Sequence, residues 1–195
     1  MLVGGRSFGA SLAALAIVVV ASLAGPARLA AQTQIGIELG AEPAPLALEV
    51  IASPGGPGER IDLADSFGQR PVVLQFWATW CPKCEALEPR MIEAHRAFGD
   101  RVDFYAVAVA VGQNPRRVGR HLEDHPLPFA MLWDETGEAT RRFQAPTTSY
   151  VVILDADGRV AYTGVDSDQD IRAAVAQILD ARADQPQSAS DPSDG

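Results

Sequence analysis

The sequence predicts an α/β domain, a central mixed β-sheet flanked by helices with a β-hairpin extension at its N-terminal end. Three observations carry that prediction. Strand-like and helix-like segments alternate from about residue 44 to residue 182. One segment, Val72 to Trp77, is an apolar run of the kind expected of a strand covered on both faces. The only two cysteines, in Cys81-Pro82-Lys83-Cys84, stand between that strand and the helix expected after it. At 195 residues with 47% apolar side chains, the chain has room for one such domain plus tails.

The elements follow in order. Leu46 to Ile51 and Arg60 to Leu63 read as two strands separated by the Ser53-Pro54-Gly55-Gly56-Pro57-Gly58 turn. After Val72 to Trp77 and the cysteines, a helical stretch runs to about Phe98. Val102 to Val111 is a second buried strand. Pro115 to about Asp124 is a polar helix that Asn114 can cap and Pro115 can open, which suggests a βαβ crossover. Phe129 to Trp133 and a short helix near Glu135 to Phe143 come next. The strands Ser149 to Leu154 and Val160 to Tyr162 then flank the hairpin loop Asp155-Ala156-Asp157-Gly158. Asp168 to about Arg182 closes the domain as an amphipathic helix with Ile171, Val175, Ile178 and Leu179 at helical spacing, and no internal repeat is visible.

The ends read differently. Arg6 is the only charge before a run from about Ala10 to Ala24 of almost wholly Ala, Leu, Ile and Val, which is a signal-peptide pattern. Cleavage after Ala27 or Ala31 is compatible with the small residues there. An uncleaved reading also stands, because residues 8–27 are long enough for a helix of about 20 residues to span a bilayer. Either reading exports the domain, to the periplasm or to an anchored position on the outer face of the cytoplasmic membrane. The expected organisation is therefore a signal peptide or anchor over 1–31, a spacer over 32–43, the domain over 44–182 and a disordered polar tail over 183–195. Beyond residue 31 the chain carries 14 basic and 25 acidic groups, which argues against nucleic acid as a partner.

The chemistry concentrates at the cysteines. A cysteine at a helix N-terminus faces unsatisfied backbone N–H groups and the positive end of the helix dipole, which favour the thiolate, so Cys81 is the expected nucleophile. Cys84, one turn on and expected to be buried with a higher pKa, is the expected resolving thiol. Pro82 suits the first turn of a helix, and Lys83, the only lysine among sixteen basic residues, adds a positive charge beside the pair. A static structural disulfide and half of a metal site are the weaker readings of the same cysteines. Zinc would need two further ligands, and the histidines offer only His95 and the pair His121 and His125, which a solvated helix face explains better.

Phe76-Trp77-Ala78-Thr79-Trp80-Cys81-Pro82-Lys83-Cys84 resembles the active-site segment of the thioredoxin superfamily, and specifically its TlpA/ResA-like extracytoplasmic branch. The resemblance extends over most of 44–182, including Ala145-Pro146-Thr147-Thr148 and Tyr150 to Val160. It implies a thioredoxin-like fold and thiol-disulfide exchange, with no cofactor or metal beyond the redox-active pair. It also implies a cis Pro146 beside the cysteines, where Ala145, Pro146 and Thr147 can pair with a substrate chain as an added strand. Trp80, Pro82, Lys83 and Glu88 are the residues expected to tune the pair, and Pro89 falls where the family's helix is commonly kinked.

The chain departs from the family at two acids. Gln75 stands where thioredoxins place a buried aspartate. Leu87 stands where ResA-like proteins carry a glutamate, and Glu88 one residue later either substitutes for it or is simply an exposed side chain of the helix. By resemblance the protein is a monomeric reductant of disulfide- or dithiol-containing partner proteins, fed by a membrane thiol carrier and serving apocytochrome or copper-site cysteines. A copper(I) metallochaperone using the same two thiolates and a peroxiredoxin-like peroxidase are the alternatives.

Overall fold

The computed structural model describes residues 35–52 and 55–184, together with Met1. The expected export segment, the start of the spacer and almost all of the polar tail lie outside the described residues. Among the described residues no helix is long and apolar enough to cross a membrane.

The strands are β1 (Ala47–Ala52), β2 (Gly56–Asp62), β3 (Val72–Trp77), β4 (Asp103–Val109), β5 (Ala130–Asp134), β6 (Val151–Leu154) and β7 (Val160–Gly164). The helices are α1 (Pro82–Phe98), α2 (Pro115–Asp124), α3 (Glu138–Arg142) and α4 (Ile171–Ala183), with a 3-10 turn at Leu63–Ser66. The sheet order is β2-β1-β5-β4-β3-β6-β7. Strands β3, β4 and β5 run parallel, while β6 pairs antiparallel to β3 and β1 antiparallel to β5. The N-terminal hairpin is thus one wing of a continuous mixed sheet, as the sequence predicts.

Every residue of β3 is buried because helices cover both faces of the sheet. One face packs Val73, Val151 and Ile153 against Leu87, Met91 and Ala94 of α1 and Ile171 and Val175 of α4. The other packs Leu74, Phe76 and Val152 with Tyr150, Val118 of α2 and Ala139 of α3. This double cover is why the apolar segment does not alternate with polar residues as a half-exposed strand would.

Local chemistry accounts for most boundaries. The Asn114 side chain accepts a hydrogen bond from Arg117 N (2.9 Å) at the start of α2, with Pro115 in the first turn. Asp170 caps α4 in the same way through Ala173 N (2.9 Å), so that helix begins at Ile171 rather than at Asp168. Strand β2 begins earlier than the sequence predicts, at Gly56, with Pro57 opposite Ile51. It is an edge strand and its pairing with β1 is irregular between Glu49 and Ile51, which is where a proline and glycines fit into a ladder. Strand β4 ends earlier, at Val109, and the carbonyl of the exposed Val111 accepts instead from Trp80 Nε1 (2.8 Å).

Residues 35–43 of the expected spacer lie against the domain. Ile37 is buried and its N–H donates to the Tyr150 hydroxyl, and residues 40 and 41 exchange hydrogen bonds with Val160.

Candidate active site

The parallel strand β3 ends at Trp77, and four residues later the chain turns into α1 at Cys81. Cys81 is the N-cap of that helix: its sulfur accepts from Cys84 N at 3.1 Å. Its backbone is extended, and Pro82 occupies the first helical position, where the missing N–H leaves no bond unmade. Pro89 lies inside the helix, which continues past it to Phe98.

Cys81 and Cys84 form a disulfide with their Cα atoms 5.3 Å apart. Their surroundings differ. Cys81 is 7% exposed and lines a surface cavity, whereas Cys84 is wholly buried with its sulfur 3.8 Å from the Phe76 carbonyl oxygen. An incoming sulfur therefore meets Cys81, and Cys84 can act only from inside.

The loop carrying the cysteines is pinned from two sides. Gln113, after β4, accepts from Thr79 N (2.9 Å) and donates to the Val109 carbonyl (2.6 Å). Trp80 is 45% exposed, yet its indole N–H is fixed on the Val111 carbonyl beside Gly112, whose φ of 68° glycine adopts freely. On the other side Lys83 forms an ion pair with Asp166, from the turn between β7 and α4. Asp166 has a left-handed backbone (φ 75°), and Gln169, itself buried, donates both to its carbonyl (2.7 Å) and to that of Ser149 (2.9 Å).

Ala145, Pro146 and Thr147 flank the site as a loop between Gln144 (φ 48°) and Ser149 (φ 63°), both left-handed. Ser149 N donates to the Phe76 carbonyl and Phe76 N to the Tyr150 carbonyl, both at 2.8 Å, which ties the loop to the end of β3. The loop borders a cleft of about 560 Å³ together with Trp80, Val109 and Val111. The far wall holds Asp134, whose buried carboxylate accepts from Ala139 N (3.0 Å) and Thr140 N (2.9 Å) at the start of α3.

The polar residues near the cysteines separate by face. Gln75, 2% exposed, pairs with Val151 and so points to the face holding Val73 and Ile153, with its amide nitrogen unpartnered. Leu87 is wholly buried on that same side. Glu88 instead lines the cavity beside Cys81 with Glu85 and His121. Burial holds the Glu88 carboxyl above the ordinary range, opposed by His125 and aided by Glu85. His121 is half-buried against Trp77, ring centres 5.1 Å apart, rather than solvated as expected, because Trp77 at the end of β3 reaches its helix. Burial pushes its imidazole below the ordinary range and His125 adds to the effect. His95 packs on Phe104 away from the site. Among the described residues no group of three or more His, Cys, Asp and Glu side chains could hold a metal ion.

Sequence reading thus finds Trp80, Cys81, Pro82, Lys83 and Cys84 at one place, with Ala145, Pro146 and Thr147 bordering the adjoining cleft past Trp80. It misses Gln113, Asp166 and Gln169, which lie outside the motif and reach it only through tertiary folding.

Comparison with known proteins agrees with this geometry. The Redoxin family model matches residues 42–179. The thioredoxin-like protein YneN of Bacillus subtilis is 32% identical over 103 residues, covering 52% of this chain and 59% of that protein. The thiol-disulfide oxidoreductase ResA of Bacillus thuringiensis subsp. konkukian is 27% identical, covering 53% and 58%. The chain thus spans somewhat more than half the length of these curated relatives. The crystal structure of StoA from Bacillus subtilis superposes with a TM-score of 0.57 at 24% identity, covering 68% of this chain and 95% of StoA, and supports the fold. With its C-x-x-C motif at the N-terminus of α1 and a family match that spans the whole sheet, the chain belongs to the Redoxin family, as a TlpA/ResA-like member of the thioredoxin superfamily.

Proposed function

We propose that this protein is an extracytoplasmic thiol-disulfide oxidoreductase that reduces disulfides of partner proteins through Cys81 and Cys84. The observation that carries the reading is the asymmetry of the pair: one sulfur at a helix N-terminus on a surface cavity, the other sealed one turn below. Only the first can be attacked or attack from outside, and only the second is placed to release what the first has captured.

In the reduced protein the Cys81 thiolate attacks a partner disulfide, forming a Cys81–partner bond and expelling the partner's other sulfur as a thiolate that takes up a proton. Cys84 then loses its proton and attacks Cys81. The Cys81–Cys84 disulfide closes and the second partner sulfur leaves. Two electrons and two protons pass to the partner, whose disulfide becomes a dithiol. The apolar cleft of Trp80, Val109, Val111 and Pro146 gives the segment flanking the partner cysteine a place to lie, with Ala145, Pro146 and Thr147 at its border. The names of the ResA relatives and the export-type N-terminus support a reductant acting outside the cytoplasm, supplied by a membrane thiol carrier, with cytochrome or copper-site cysteines as the first substrates to try.

The test is the equilibrium potential of the pair in the full chain, set by glutathione or dithiothreitol buffers and read by thiol alkylation. A value near thioredoxin's, about −270 mV, is expected for a reductant; a value near about −120 mV would make the protein an oxidant. Failure to cycle would end the exchange reading.

A further inference from the structure

Along α1, Glu85 and Glu88 follow Cys81 at four and seven residues, which puts all three on one face of the helix. Across from that face α2 supplies His121, and the four side chains line one cavity of about 180 Å³ with Trp77. That volume has room for several waters at about 30 Å³ each, enough for a proton to pass between groups that do not touch. The His121 ring packs against Trp77 at 5.1 Å and against His125 at 4.7 Å between ring centres. Cys84 does not line this cavity: it is wholly buried, with its sulfur against the Phe76 carbonyl.

We infer that His121, with Glu88 across the cavity, takes the proton from the Cys81 thiol and returns it to the departing sulfur. The inference rests on the exchange reading above. In the first step the neutral imidazole takes the proton of the Cys81 thiol, giving the thiolate that attacks, and the imidazolium formed then protonates the thiolate that leaves the partner disulfide. The imidazole ends neutral, and electrons move only between sulfurs.

The surroundings suit this role. Burial moves the imidazole down and the carboxyl up, which brings their proton affinities toward one another and eases transfer across the cavity. The charged groups acting on the two are Glu85 on α1 and Asp124 and His125 on α2. The strands β1 and β2, which also pack on α2, bring Glu49, Glu59 and Arg60.

The test is the pH profile of Cys81 alkylation by iodoacetamide in the reduced full chain, from pH 5 to 9. His121→Gln is expected to slow the reaction about tenfold at pH 7. That is less than general acid–base catalysis usually gives, because a thiol is already a few per cent ionised there. Free imidazole should restore the rate in His121→Ala, as it would not for a side chain that only packs. A His121→Gln profile that overlays the parent's would overturn the proposal. Should that variant lose its circular dichroism spectrum, Glu88→Gln decides: a lower inflection is expected, and an unmoved one also overturns it. If the parent protein fails to cycle, the exchange reading falls; if it cycles and the variants match it, only the proton role falls.

Discussion

The two sulfurs of one disulfide share an apolar cluster but differ in what else they meet. Cys84 is wholly buried, its sulfur against the Phe76 carbonyl in a cluster with Leu74, Phe76 and Ala78. Beside Cys81 are two carboxyl groups and an imidazole around an open cavity. The difference teaches where charge can change during exchange. A thiolate formed at the wholly buried Cys84 is disfavoured by loss of water, while one at Cys81 is supported by the helix N-terminus and by groups that can hold its proton.

The strongest way to break this comparison is to remove the sulfurs one at a time. Cys81→Ser is expected to abolish reduction of insulin disulfides, because the other cysteine of the chain, Cys84, is wholly buried. Cys84→Ser should still attack but stop at the mixed disulfide, visible as an adduct on a non-reducing gel and released by dithiothreitol. If Cys84→Ser turns over without an added thiol, or Cys81→Ser traps partners, the assignment of the two roles is wrong.

A smaller effect sharpens the comparison through two neighbours on α1. Leu87→Ala removes a wholly buried side chain and should lower the unfolding free energy by about 2–5 kcal/mol in urea titration. Glu88→Ala, one residue on but facing the cavity, should change it by less than about 1 kcal/mol and show its effect in the alkylation profile instead. Equal losses from both would mean that the cavity side is as tightly packed as the core.

Part of this was legible from residue order. The buried β3, the capped α2 and the placement of Cys81 at a helix start follow from local pattern, because double-sided burial, an Asn-Pro start and a C-x-x-C after a strand each leave a signature within a few residues. The face on which Glu88 lies was half legible. Counted from Cys84 it is four residues on, counted from Cys81 seven, and only the packing of Leu87 into the core settles which sulfur it accompanies. The start of β2 at Gly56 was hidden because a proline among glycines has turn chemistry, and only its place at the sheet edge makes it a strand. Gln113 and Asp166 carried no signal, since each meets the motif across dozens of residues.

The smallest expected effect concerns Asp166. Lys83 stands two residues from Cys81, and its charge by itself favours the thiolate and hence the reduced protein. The ion pair with Asp166 offsets that charge, and both side chains are largely exposed, so solvent screens what remains. Asp166→Asn removes the carboxylate while keeping a residue that tolerates the left-handed backbone at φ 75°. Lys83, released, should favour the reduced form about threefold in a glutathione equilibrium, moving the potential up by about 14 mV. Lys83→Met should move it down. In the double variant the Asp166 substitution should add nothing, because the charge it offsets is gone. An Asp166→Asn shift that persists without Lys83 would instead assign the effect to the turn held by Gln169, and no shift at all would leave the pair a surface contact with no part in the poise of the cysteines.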